Sequence, residues 1–334
     1  MLKTATIVKH ATKEKPYIIL ADRRKMYSKQ EWLNLRQNYI GGSDAAAVMS
    51  CNPWRTPFQV FAEKKGLVKR QPAGEAAYFG NLFESLLVEE FCKRTGYKSV
   101  SVPFVFQSAQ SPWLIADLDS VVDLGNGKYG VLEIKTTNTF SGADDWNNGE
   151  VGNLPISYYI QCQEYLYVTG LDIAFIACLI GGQKFIYQEI QRDVETINAI
   201  VQMTGAWYQN YFLKNVPPPV EHTDSTYLGQ LYPKAEEKQV ELPEEAKFVL
   251  ADYQKASRDL TIAKEAKEEA EARLKAMLTD AEVGVIGNHK ISWKNVSTTR
   301  LDSKKVKSLL TEEQLKMCSN TTTTRKFTVS ARKK

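Results

Sequence analysis

Histidine and cysteine are scarce in this chain, and long apolar runs are missing. The three histidines, His10, His222 and His289, lie far apart, so neither a histidine metal site nor a Ser-His-Asp triad is expected. The five cysteines are scattered and odd in number, and none forms a Cys-x-x-Cys pair. No apolar run approaches the roughly 20 residues that cross a bilayer. Met1-Leu2-Lys3-Thr4-Ala5 starts no apolar leader. The expectation is a reduced, intracellular, soluble protein. No Gly-Lys-Ser/Thr phosphate loop occurs, so an ATP-driven motor is not expected. Gly125-Asn126-Gly127-Lys128-Tyr129-Gly130 has dinucleotide-loop spacing but leads into a strand pattern, so no helix N-terminus meets a pyrophosphate. Charge of one sign is also scarce: the formal net charge is +4 over 334 residues. It is unevenly spread, however. Residues 281–334 hold twelve Lys/Arg against four Asp/Glu, a balance of +8, leaving −4 for the rest. A basic tail beside a mildly acidic body suits an anionic polymer partner, and equally suits a solvated tail.

The hydrophobic share, 43%, is ample for a core. Helical patterns are expected at 30–37, from Ser43 as N-cap through Val48, from Pro57 to near Gly66, at 77–95, from Pro155 to Tyr167, and after Asp193. Strand patterns are expected at Ser101–Phe106, Trp113–Ala116, Ser120–Leu124, Tyr129–Thr136, Ile173–Ile180 and Phe185–Ile190. Helices, strands and more helices make one α/β core. The expected division is an N-terminal extension at 1–29, a core at 30–220, a linker at 221–242, a long helix at 243–280 and a basic segment at 281–334. In the long helix Val249, Tyr253, Ala256, Leu260, Ala263, Ala270, Leu274 and Met277 follow a 3-4 spacing, interrupted by Lys267. That stripe suits packing on the core, self-pairing or a partner. Strand-like pieces at Lys290–Lys294 and Lys326–Val329 flank a small helix near Ser303–Leu310.

The chemistry concentrates at Asp119 and Glu133-Ile134-Lys135. An acidic residue ends one strand and a Glu-x-Lys lies on the strand beyond a hairpin turn. Glu133 and Lys135 leave the same strand face, and the hairpin returns them to Asp119. Two carboxylates and an ammonium at one point suit metal-dependent phosphodiester cleavage. Hard cations held by carboxylate oxygens deprotonate water and neutralise developing charge. Asp119 and Glu133 are expected metal ligands, with the Ile134 carbonyl as a third and Glu84, from the 77–95 helix, as a fourth. Lys135 is expected to serve the attacking water. Gln161 and Tyr165, one turn apart on one helix face, place an amide where it can hold water or a phosphate oxygen.

Asp119, Glu133-Ile134-Lys135 and Gln161-x-x-x-Tyr165 together resemble the PD-(D/E)xK nucleases of the RecB-like group. Ile40-Gly41-Gly42-Ser43-Asp44, Asn52-Pro53-Trp54-Arg55-Thr56-Pro57 and Phe79-Gly80-Asn81-Leu82-Phe83-Glu84 resemble, more narrowly, the YqaJ-type phage recombination nucleases related to lambda exonuclease. The resemblance covers about residues 30–215. It implies a restriction-endonuclease-like core, a central mixed sheet flanked by helices. It implies a Mg2+-dependent exonuclease, with Mn2+ as substitute, that resects double-stranded DNA ends 5′ to 3′ and leaves 3′ single strands. It implies that Arg36, Ser43 and Tyr165 bind substrate, with Arg36 and Ser43 gripping the terminal 5′-phosphate. Further implications are a single-strand annealing partner, a homo-oligomer such as a ring-shaped trimer, no membrane association, and a phage- or prophage-encoded protein in the cytoplasm of a bacterial host. Some RecB-like nucleases hold an iron–sulfur cluster on four cysteines; the scattered cysteines here argue against one. Where the family has Asp-Gly this chain has Asp119-Ser120, keeping the carboxylate.

Blander readings stand beside these. Asp117 would share the face of Asp119 and compete for its role. Glu133 and Lys135 fit an exposed strand pair, Gln161 and Tyr165 ordinary helix positions, and Arg36 a surface ion pair. Trp54 and Arg55 fit a DNA-entry surface, and Trp54 equally a core. Alternatives for the whole chain are a structure-selective or nicking endonuclease, and a non-catalytic DNA-binding adaptor.

Overall fold

Gly125, Asn126 and Gly127 all adopt left-handed φ, at 84°, 53° and 74°, a backbone that glycine and asparagine tolerate best. They turn the chain between two strands of a five-stranded sheet. The computed structural model describes residues 15–25, 28–68, 74–139, 146, 154–322 and 324–330. The extreme N-terminus, and with it half of the expected extension, lies outside the described residues. In chain order the strands of the first unit are β1 (Tyr17–Asp22), β2 (Ile40–Gly41), β3 (Lys98–Val100), β4 (Phe104–Ser108), β5 (Leu114–Asp117), β6 (Ser120–Gly125), β7 (Lys128–Thr137), β8 (Ile173–Ile180) and β9 (Lys184–Gln191). The five-stranded sheet has the order β3-β6-β7-β8-β9. A second sheet has four strands, β1-β4-β5-β2. One central sheet was expected. The chain instead changes sheet in the two residues Leu118-Asp119 between β5 and β6. Asp119 is therefore a junction residue rather than a strand end.

The helices are α1 (Lys29–Gln37), α2 (Gly42–Val48), α3 (Pro57–Lys64), α4 (Glu75–Thr95), α5 (Ile156–Thr169), α6 (Val194–Trp207) and α7 (Ser225–Leu231). β7 and β8 run parallel, Val131 to Thr137 beside Ala174 to Ile180, with α5 in the crossover between them. Helices cover both faces of this pair, so both faces are apolar. Val131, Ala174, Ile176 and Cys178 join the cluster that holds Ile160, Cys162 and Leu166 of α5. Leu132, Ile134, Phe175 and Ala177 join Leu87 and Phe91 of α4 on the other face. Each such buried Leu, Ile or Phe stabilises the fold by about 1.5–3 kcal/mol. The alternation fixes the site: Glu133 and Lys135 share the face of Val131, toward α5.

Several expectations shift. The N-cap of α2 is Gly41, and Ser43 lies in its first turn. The stripe on α4 is only half core: Leu87 and Phe91 are buried, whereas Phe79, Leu82 and Leu86 are exposed. Tyr17–Asp22, expected as extension, pairs with β4 and buries Tyr17. Residues 221–231, expected as linker, are anchored: the carboxylate of buried Asp224 accepts from Thr56 Oγ1 at 2.6 Å and Gln59 Nε2 at 2.9 Å. The first unit runs to Pro233.

The second unit, Lys234–Lys334, holds α8 (Ala246–Leu278), the hairpin β10 (Val283–Ile286) with β11 (His289–Ser292), α9 (Ser303–Leu309) and α10 (Glu312–Met317). Thr311 caps α10 by accepting from Gln314 N, a helix the sequence reading missed. Lys326–Val329 forms no strand. Among the described residues no helix is long and apolar enough to cross a membrane.

Candidate active site

The β6–β7 register pairs Ser120 with Leu132, so Asp119 arrives level with Glu133. Asp119 Oδ2 accepts from the Ile134 backbone N–H at 2.8 Å. Lys135 Nζ lies 2.6 Å from Glu133 Oε1 and donates to Gln161 Oε1 at 3.1 Å. Gln161 Nε2 donates to the same Glu133 oxygen at 2.6 Å and to the Tyr165 hydroxyl at 2.9 Å. Lys135 also stands over the Tyr158 ring, 4.8 Å from its centroid. The expected residues Asp119, Glu133, Ile134, Lys135, Gln161 and Tyr165 thus form one contiguous group.

Its electrostatics are those of crowded buried carboxylates. Burial raises the Glu133 carboxyl, and Asp119 beside it raises it further. Burial likewise raises Asp119, against the pull of Lys135. Glu133 Oε2 is buried without a hydrogen-bond partner. Burial alone lowers the Lys135 ammonium, but Glu133 and Asp119 outweigh it and hold the charge on.

Glu84 reaches this group from α4. Burial first, then Asp119, pushes its carboxyl up to about 7. Glu84, Asn81, Asp119 and Glu133 line two adjoining hollows. One, of about 390 Å³, continues along Gly80, Lys135 and Thr136. The other, of about 440 Å³, continues to Arg36, Ser43, Gln161 and Tyr165. A larger hollow of about 1270 Å³ along β9 contains none of these residues.

Arg36 Nη2 donates to Ser43 Oγ at 3.2 Å, and its guanidinium stacks on Trp32 at 4.3 Å. Beneath them lies Asp44, 3% exposed, bonded to Arg55 at 2.7 Å and Lys64 at 2.8 Å, with Arg36 at 3.8 Å. Burial alone pushes the Asp44 carboxyl up, but these three cations hold it well below the usual carboxylate range. Burial draws Lys64 down while Asp44 opposes it. Arg55 also pairs with Glu63 at 2.7 Å, so it bridges two carboxylates. Trp54 is 60% exposed and is not core. Asp117 lines the second hollow, with Arg23 3.0 Å away and Trp32 Nε1 donating to it at 3.0 Å. Sequence reasoning missed Asn81, Trp32, Arg23 and the burial of Asp44. Asn81 was findable, since it lies three residues before Glu84 and so on nearly the same helix face.

Among the described residues no three His, Cys, Asp or Glu side chains already surround a common ion position. The donor chemistry nevertheless fits a hard divalent cation: carboxylates of Glu84, Asp119 and Glu133, whose Oε2 is buried with no hydrogen-bond partner, and the Ile134 carbonyl. Raised carboxyls in mutual contact are what a bound cation relieves.

A family model described as "YqaJ-like viral recombinase domain" matches residues 31–172. Over 295 residues the chain is 32% identical to the uncharacterised protein YqaJ of Bacillus subtilis (strain 168), which spans 86% of this chain and 90% of that one. The chain belongs to the YqaJ-like family. Its core is α/β, with mixed sheets flanked by helices. A 67-residue stretch is 37% identical to protein D345L of African swine fever virus, 19% of each chain. An alkaline exonuclease from Laribacter hongkongensis (LHK-Exo) shares 20% identity at TM-score 0.46, over 56% of this chain and 97% of that one. Every expected site residue, from Arg36 to Tyr165, falls inside the YqaJ-like stretch.

Proposed function

We propose that the chain is a Mg2+-dependent exonuclease that resects linear double-stranded DNA 5′ to 3′. One observation supports this reading: Asp119 and Glu133, the latter with an unpartnered buried oxygen and Lys135 bonded to it, line the same hollow as Arg36 and Ser43. Cleavage residues and an anion grip in one continuous space suit a duplex end that carries a 5′-phosphate.

In this reading Arg36 and Ser43 hold the terminal phosphate, and Trp32 keeps the Arg36 fork flat against its ring. Tyr165 supports the grip from below. Asp119, Glu133, Glu84 and the Ile134 carbonyl hold Mg2+, or Mn2+ in its place, which when bound lowers the pKa of water and offsets charge on the phosphate. Lys135 donates to the attacking water and neutralises charge as it develops. Gln161 keeps both Lys135 and Glu133 in place. Asp117, occupied by Arg23 and Trp32, acts as a support rather than a ligand. A single-strand annealing partner, a ring-shaped homo-oligomer and a cytoplasmic setting belong to the same reading.

The test compares linear and covalently closed duplex DNA with Mg2+, with Mn2+ and with chelator. Digestion of linear DNA alone, abolished by chelator, supports the proposal. Cutting of closed circles favours the endonuclease alternative, and DNA binding without cleavage favours the adaptor.

A further inference from the structure

The Trp54 indole is 60% exposed, yet the turn that carries it is held on both sides. Asn52 Oδ1 accepts from the Trp54 backbone N–H at 2.8 Å, and Pro53 between them has a fixed φ. On the other side Arg55 is bonded to Asp44 and to Glu63, each at 2.7 Å, and Thr56 caps α3. An indole exposed on a stiff turn loses little freedom when a ligand covers it. A single ring joins Trp54 to the catalytic group. Trp54 lies 6.4 Å from the Tyr158 ring at an interplanar angle of 31°, and Lys135 Nζ stands 4.8 Å from the centre of that same ring. Buried Trp146 backs Tyr158 at 5.9 Å. The two spans together put the Trp54 ring no more than about 11 Å from the Lys135 ammonium. That is roughly three nucleotides at the ~3.4 Å spacing of stacked bases.

The order of residues along α5 gives Trp54 its place. Tyr158, Gln161 and Tyr165 follow one another on one face of that helix. At the Tyr165 end lie Arg36 and Ser43, which line the same hollow. At Gln161 lie Glu133 and Lys135. Trp54 is at the Tyr158 end, and at 1.5 Å per residue that end is about 10 Å along the helix from Tyr165. Trp54 is therefore on the other side of Glu133 and Lys135 from the anion grip.

We propose that Trp54 is a base-stacking platform for the strand being digested. It takes the face of an unpaired base within nucleotides 2 to 4 from the 5′ end, beyond the scissile bond. The inference rests on the reading above for the direction of the strand. A terminal phosphate at Arg36 and a scissile phosphate at Glu133 set a path along α5, and the same path leads on to Trp54. An indole covers the face of any base, so the contact tolerates every sequence, as digestion along a whole strand requires. A base inside the duplex has both faces against its neighbours, so Trp54 engages one whose stack has opened.

The test is equilibrium binding of the full-length chain to 5′-phosphorylated duplex in chelator. Abasic sites are placed one at a time at positions 2 to 4 of the 5′-ended strand, and then at the positions opposite. Trp54→Ala should weaken binding of intact duplex by about 5- to 150-fold, and Trp54→Phe by much less. One abasic site in the 5′-ended strand should weaken the unmutated chain to a similar degree and leave Trp54→Ala unchanged. Equal affinity of Trp54→Ala and the unmutated chain would overturn the proposal. So would abasic effects of one size in both chains, or effects confined to the complementary strand. Trp54 is exposed, so its replacement costs the fold little, and the abasic arm uses the unmutated chain. The readout needs no cleavage: a protein that cuts nothing yet shows the Trp54-dependent abasic effect would overturn the exonuclease reading and support this one.

Discussion

Gln161 holds Glu133 in place: its Nε2 donates to Glu133 Oε1 at 2.6 Å while its Oε1 accepts from Lys135. Gln161→Ala removes both contacts and frees the ligand carboxylate to rotate. We expect kcat to fall by about 10–100-fold, with KM for 5′-phosphorylated duplex nearly unchanged and the melting temperature lowered only slightly. Steady-state kinetics on linear DNA check this, and an unchanged kcat would remove Gln161 from the site.

Gly42 is where α2 meets α5. A Cβ there would lie 2.7 Å from Tyr165 Cε1 and 2.8 Å from Gln161 Cγ, closer than real contacts allow. Gly42→Ala must push the Gln161–Tyr165 pair aside, at about 1–3 kcal/mol for overpacking. Because that pair holds Glu133, activity should drop with stability. Denaturant unfolding together with cleavage rates reads both. Wild-type values in either would contradict the packing described.

Asp44 is surrounded by Arg55, Lys64 and Arg36. Asp44→Asn leaves these cations without their carboxylate, and loss of one partner in a buried ion group costs about 3–5 kcal/mol. Arg36 also loses its anchor, so discrimination for 5′-phosphorylated over 5′-hydroxyl ends should weaken. Because the Asp44 carboxyl is depressed below 3.8 on folding, its contribution is present above that value and is lost as pH falls through the folded value. Unfolding measured at neutral pH should therefore show the full effect. A neutral substitution there would refute the network.

Glu84 is raised from 4.5 to about 7, chiefly by burial and next by Asp119. An acid raised on folding stabilises the folded state below its unfolded value, and that contribution fades as pH climbs to the folded one. Metal-free protein should lose stability between these limits. Divalent cations compete with the same protons, so the rise in Tm on adding Mg2+ should be small near about pH 5 and grow toward about pH 8. Thermal melts across that range check the sign. A Mg2+ shift independent of pH would remove Glu84 from the ligand set.

Local geometry carried the parts of the site that were legible in the sequence. Strand alternation put Glu133 and Lys135 on one face, and the Gly-Asn-Gly turn returned them to Asp119, as the register confirms. Helical spacing put Gln161 beside Tyr165. What stayed hidden depends on contacts between distant segments. Trp32 reaches Asp117 across 85 residues, a contact that no spacing rule anticipates. The burial of Asp44 depends on α3, which brings Lys64 beneath it. The α4 stripe misled for the opposite reason: periodicity reports an apolar face, not what covers it, and Phe79, Leu82 and Leu86 remain exposed.

The central claim is that Asp119, Glu133 and Lys135 cleave DNA from an end held by Arg36 and Ser43. Linear duplex labelled at either 5′ or 3′ ends, and carrying 5′-phosphates, tests it most directly in the presence of Mg2+. Early release of the 5′ label, with the 3′ label retained on long single strands and no release by Lys135→Ala, is the predicted result. Release of the 3′ label first, or equal digestion by Lys135→Ala and the unmutated chain, would contradict it.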